Sequence, residues 1–185
     1  MLERFDIRAL TPTPWKNGGG NTVELACSPP HAGLSNFDWR ISIATVAASG
    51  PFSIFPGVDR TIVLLSGEGM HLRSARGEID HALTRAGVPF SFPGDVAIDA
   101  RLRKGVSRDF NVMLRRPLHA ETMVLRDAAI LPPAPDGLLY ASEGVWSIDG
   151  AVIQEGQGIR WHHEPESLDA LLLSTRGMLI VVRIG

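Results

Sequence analysis

Glycine or proline interrupts this chain at short intervals along its whole length, 19 glycines and 13 prolines in all. Turn signals at such spacing indicate many short strands gathered into a sandwich or barrel. Between the turns the apolar pattern has period two. In residues 37–46, Phe37, Trp39, Ile41 and Ile43 fall on one face and Asp38, Arg40, Ser42 and Ala44 on the other. Residues 108–114 repeat the form, with Phe110, Val112 and Leu114 set against Asp109, Asn111 and Met113. Asp149-Gly150, between two apolar runs, reads as a type I′ hairpin turn, and the run 178–184 reads as a fully buried strand. No long amphipathic helix can be placed; residues 120–131 suit a strand or a single turn as well as a helix.

A chain of 185 residues suffices for one large domain or two small lobes. The lobe boundary falls near Pro117, which gives a larger lobe of 1–116 and a smaller one of 117–185, with pairing of the N-terminal strand to the second lobe as an alternative. Residues 132–137 read as a short stiff linker. Phe55-Pro56-Gly57 and Phe92-Pro93-Gly94 echo one another, too briefly to establish a duplication. The net charge of −2 argues against nucleic acid or an anionic membrane as partner. No apolar stretch approaches the roughly 18 residues of a membrane span. The single cysteine, Cys27, and the absence of an apolar leader point to the cytoplasm.

Several residues are candidates for a ligand site. Trp15-Lys16-Asn17-Gly18-Gly19-Gly20 combines a cation, an amide and backbone that can approach a ligand oxygen closely, so Lys16 and Asn17 are candidate contacts. It is not a nucleotide loop, because the Gly-Lys-Ser/Thr ending is missing. Arg40 and Ser42, like Asp109 and Asn111, occupy the polar faces of their strands. If those faces look into a barrel, Arg40 can clamp a carboxylate; if not, it is solvated. Asp59 and Arg60 open another strand and, being adjacent, point opposite ways. The histidines give no His-x-His pair. His162 and His163 point to opposite sides, and His71 with His81 as cross-strand neighbours would still lack a third ligand, so neither a metal nor another cofactor is expected. Cys27 reads as a small buried hydrophobe, and acid–base chemistry by Asp109, Glu24 or Lys16 stays open.

The segment Trp15–Gly20 followed by Thr22 and Glu24 resembles the opening of the HutD/Ves family. Phe37-Asp38-Trp39-Arg40, Gly50-Pro51-Phe52-Ser53, Asp59-Arg60, Phe92-Pro93-Gly94-Asp95 and Asp109–Met113 extend the likeness over residues 3–116. The resemblance implies an all-β fold, a two-lobed bicupin built from cupin double-stranded β-helices with little helix, and an association with histidine utilisation. Three functions follow in order of preference. The first is a metal-independent binder of a small anionic metabolite, such as urocanate, formiminoglutamate or formylglutamate, acting as a regulator. The second is a metal-independent hydrolase or isomerase. The third is a protein-interaction module, with a homodimer built on an edge strand such as 178–184.

Overall fold

The computed structural model describes residues 2–162 and 166–185, so the reading of His163 lies outside the described residues. Two compact units divide the chain. One is Thr11–Pro117; the other joins Met1–Leu10 to Leu118–Gly185. The first ten residues therefore belong with the C-terminal unit and not with residues 11–116.

After β1 (Leu2–Asp6) and a 3-10 turn at Ile7–Ala9, the Thr11–Pro117 unit runs through ten strands: β2 (Thr13–Pro14), β3 (Gly20–Ser28), β4 (Trp39–Val46), β5 (Gly50–Pro51), β6 (Val58–Ser66), β7 (Met70–Ser74), β8 (Asp80–Leu83), β9 (Pro89–Pro93), β10 (Ile98–Leu102) and β11 (Ser107–Arg115). They form a six-stranded sheet in the order β2-β3-β4-β11-β6-β9 and a four-stranded sheet in the order β5-β10-β7-β8. Ala44, Val46, Ile62 and Leu64 from the first sheet and Met70, Leu72, Leu83, Ile98 and Ala100 from the second fill the space between them. The opposite face of β4 and β11 is buried too: Ile41, Ile43, Phe110 and Val112 are at most 1% exposed. Strands covered on both faces read as nearly continuous apolar runs. That is why alternation alone leaves the lumen side undecided.

The other unit continues with β12 (Ala120–Leu125), β13 (Ala129–Leu131), β14 (Asp136–Glu143), β15 (Val145–Ile148), β16 (Ala151–Gln154), β17 (Gln157–His162), β18 (Leu168–Leu172) and β19 (Met178–Ile184). Its sheets run β1-β17-β14-β19-β12 and β13-β18-β15-β16. Trp146, Trp161, Leu139, Ile153 and Val181 share its core. The Asp149-Gly150 turn has both residues at positive φ, 48° and 80°, as a type I′ hairpin requires.

Residues 120–131, open between strand, turn and helix in the sequence, form the two strands β12 and β13. Two expectations are corrected here. Residues 132–137 are not a linker: Ala134 is buried, its carbonyl accepts the Trp161 indole N–H at 3.0 Å, and Asp136 and Gly137 already belong to β14. The 178–184 run is no edge, since β19 lies between β14 and β12 with its backbone groups paired on both sides. Each unit is thus a pair of antiparallel sheets with a shared core, and the chain is an all-β, two-lobed bicupin.

Candidate functional site

Register on the six-stranded sheet decides which side chains meet. β11 lies between β4 and β6. Asp109 stands opposite Ala44 and Leu64, Asn111 opposite Ser42 and Ile62, and Met113 opposite Arg40 and Arg60. Residues directly opposite share a face. Arg40, Ser42, Arg60, Asp109 and Asn111 therefore point the same way as Ala44, Ile62 and Leu64, into the lumen of the barrel.

Arg60 is the centre of this group. Its guanidinium carbon lies 5.3, 5.6 and 5.1 Å from the ring centroids of Phe52, Phe55 and Phe92. Such contacts attract a cation to the ring faces. They leave its hydrogen bonds nearly unused: Nη1 donates to the Ser53 carbonyl at 3.4 Å and Nη2 to Asn111 Oδ1 at 3.5 Å. Both are long for such bonds. Nε is buried with no partner. Burial pushes this guanidinium down to about 10; the Asp109 charge opposes that shift and the Arg40 charge adds to it.

The two Phe-Pro-Gly segments build the aromatic wall together. Phe55 N–H donates to the Gly94 carbonyl at 2.8 Å, and Gly94 N–H donates to the Val58 carbonyl at 2.7 Å. Asp95 Oδ1 accepts the Gly57 N–H at 2.9 Å. The sequence echo is therefore one clamp with two sides, holding Phe55 and Phe92 against Arg60.

Asp109 lies deeper and is 1% exposed. Asn111 Nδ2 donates to its Oδ2 at 2.8 Å, while its Oδ1 is buried without a partner. Burial pushes this carboxyl up to about 7, against the hydrogen bond from Asn111 and the charge of Arg60. Apolar neighbours give the carboxylate little solvation, so its neutral form is favoured.

On the other side, Arg40 Nε pairs with Glu24 Oε2 at 2.8 Å, and the Cys27 thiol donates to Glu24 Oε1 at 3.2 Å. Burial, then Glu24, pushes that thiol up. A β-bulge between Glu24 and Ala26 brings Cys27 to the same face as Glu24, with Cys27 opposite Arg40 and Glu24 opposite Ser42.

Other candidates lie elsewhere. Lys16 and Asn17 are exposed in the turn before β3. Gly20 pairs with Val46 and Cys27 with Arg40. The turn thus sits past the end of the strand pair remote from Arg40, about 20 Å away at 3.3 Å per residue. Asn17 caps its own turn, with Oδ1 accepting the Gly19 N–H at 3.0 Å. Asp59 points away from Arg60 and pairs with Arg116 at 3.6 Å. His71 and His81 are not cross-strand partners, because His81 stands opposite Leu72. His71 pairs with Asp80, and the His81 ring stacks on Phe90 at 3.7 Å. Among the described residues no three His, Cys, Asp or Glu side chains are grouped as metal ligands.

Glu24 was a candidate only for acid–base chemistry, and Phe52, Phe55 and Phe92 were not candidate ligand contacts. Phe55 and Phe92 are signalled by the Phe-Pro-Gly echo, and Glu24, Phe52 and Phe92 fall within the segments that resemble the family.

Known proteins resemble the whole chain. Protein Ves of Citrobacter koseri is 35% identical over 99% of this chain and 94% of its own length. A crystal structure of a conserved protein of unknown function from Pseudomonas aeruginosa PAO1 superposes with a TM-score of 0.89 at 30% identity, covering 100% of this chain and 98% of that one. HutD from Pseudomonas fluorescens SBW25, solved in a formate condition, gives 0.86 at 27% identity with 100% of both chains covered. The HutD family model matches residues 8–180, and the chain belongs to the HutD family.

Proposed function

We propose that this protein binds a small anionic metabolite in the lumen of the Thr11–Pro117 unit and modulates histidine utilisation, the process with which its family is associated. The carrying observation is Arg60, a desolvated cation with an unpartnered Nε and, among the described residues, no ion pair. Two guanidiniums, Arg40 and Arg60, face one lumen, and the Arg40 charge adds to the cost of charging Arg60. A carboxylate between them relieves that repulsion and supplies the missing acceptor. Ser42 and Asn111 offer neutral polar contacts beside it. No metal enters this reading; the groups that contact the ligand are guanidinium, amide and hydroxyl. A cytoplasmic setting goes with it, supported by the lone cysteine and the metabolic context of the family.

A thermal-shift titration with urocanate, formiminoglutamate and formylglutamate tests the reading. A ligand at about 100 times its dissociation constant adds roughly 2.7 kcal/mol. One acid should raise Tm, the shift should survive exhaustive chelation, and it should vanish in Arg60→Met, which keeps the apolar wall filled. A shift unchanged in that variant would refute the role given to Arg60.

One group favours a second reading, a metal-independent hydrolase or isomerase. A buried carboxyl pushed up to about 7 has the poise of a general acid or base. Turnover seen by mass spectrometry and lost in Asp109→Asn would establish it.

A further inference from the structure

Four charged groups face the lumen or reach it: Glu24 from β3, Arg40 from β4, Arg60 from β6 and Asp109 from β11. With all four ionised their formal charges cancel. A carboxylate added between the arginines leaves the interior with one uncompensated negative charge. In a site walled by Phe52, Phe55 and Phe92 such a charge is costly. Asp109 is the group placed to remove it. Its Oδ1 is buried and lacks a partner, so nothing there competes for a proton. Asn111 links it to the anion site, giving Nδ2 to Asp109 and accepting from Arg60 on Oδ1. The Asn111 hydrogen bond and then the Arg60 charge favour the Asp109 carboxylate, and a bound anion cancels the second of these.

We infer that the anion site has a second, proton-binding half: a carboxylate bound between Arg40 and Arg60 is accompanied by one proton, taken from solvent onto Oδ1 of Asp109. The step forms one O–H bond and keeps the lumen neutral, as one negative charge enters with the ligand and one positive charge with the proton. This inference rests on the anion-binding reading above. Its consequence is that affinity falls as pH rises, by up to tenfold per pH unit for one linked proton.

Other titratable groups near the site act outside the window used. His81, stacked on Phe90, is pushed below its ordinary range by burial and by His71, so it is already neutral above pH 7. Burial pushes the Cys27 thiol up, so it stays protonated there.

The experiment is isothermal titration of the wild-type protein with formate, a monoanion, at pH 7.5, in HEPES and in Tris, whose ionisation heats differ. The expected result is a binding heat that depends on buffer with the sign of proton uptake, together with an affinity that weakens from pH 7 to pH 8.5. In Asp109→Asn the heats should coincide between buffers and the affinity should stop varying with pH. Binding to wild type with equal heats and a flat pH profile would overturn the inference while leaving the anion site standing. Linkage that persists in Asp109→Asn would assign the proton to another group and overturn it as well. If neither formylglutamate, formate nor the other acids bind at millimolar concentration, the anion reading falls and takes this inference with it.

Discussion

Asp109 lies on the lumen side between Ala44 and Leu64, and folding is less favourable at neutral pH because of it. Its carboxyl is pushed up to about 7, whereas in the unfolded chain it titrates near the ordinary value of roughly 3.9. Between those limits the folded state holds a proton that the unfolded state has released. Stability contributed by the acid form is thus present at low pH and lost as pH rises toward 7. Asparagine at this position does not titrate. The Tm of Asp109→Asn relative to wild type should therefore climb between pH 4 and 7, by up to about 1.4 kcal/mol per pH unit in stability, and level off above. A difference that stays flat over this range would show that the carboxyl is solvated. The polar faces of β4 and β11 were legible in the sequence, because period two survives along both strands. Glu24 with Cys27 was not, because the bulge at Glu24/Ala26 breaks that period, and strict alternation puts the two on opposite faces.

At the scale of elements, the turn from β2 to β3 shows how a ligand-like motif can serve the backbone. Gly18 has φ of +70°, which favours glycine. A Cβ on Gly20 would lie 2.1 Å from the Thr45 carbonyl oxygen, inside the β3–β4 ladder. A Cβ on Gly19 would meet only the Asn17 side chain, at 3.3 Å. Gly20→Ala should accordingly cost on the order of 2–4 kcal/mol in denaturant titration and Gly19→Ala less than about 1 kcal/mol. Equal losses would contradict this account. The triple glycine drew attention to Lys16 because such loops also cradle anions, and only the register shows that this one closes a strand pair far from Arg40. Likewise, residues 132–137 have the composition of a linker, but the buried contact of Ala134 with Trp161 is long-range and leaves no local trace.

The whole molecule is one unit inserted into another. Residues 11–117 interrupt a unit whose first strand, β1, pairs among the described residues with β17 alone, Leu2 standing opposite Trp161. Glu3 and Arg160 tie the two strands at 2.6 Å, and Ile7 N–H donates to the Gly156 carbonyl at 2.9 Å. Removing residues 2–10 should expose the β17 edge and lower protection of Ile159 and Trp161 in hydrogen exchange, while Val63 and Val112 keep theirs. Equal loss in both sets would mean that the units melt together.

The same interruption sets an order of events on the ribosome. β1 leaves the exit tunnel ahead of every strand of the inserted unit, and its partner strand is translated roughly 155 residues later, about 8–30 s at ordinary elongation rates. During that wait the nascent chain can complete the arginine-bearing barrel, all of whose strands lie between. The waiting segment sets Glu3, Arg4 and Asp6 beside Leu2 and Phe5. Charges so placed discourage wrong strand pairing until its partner arrives.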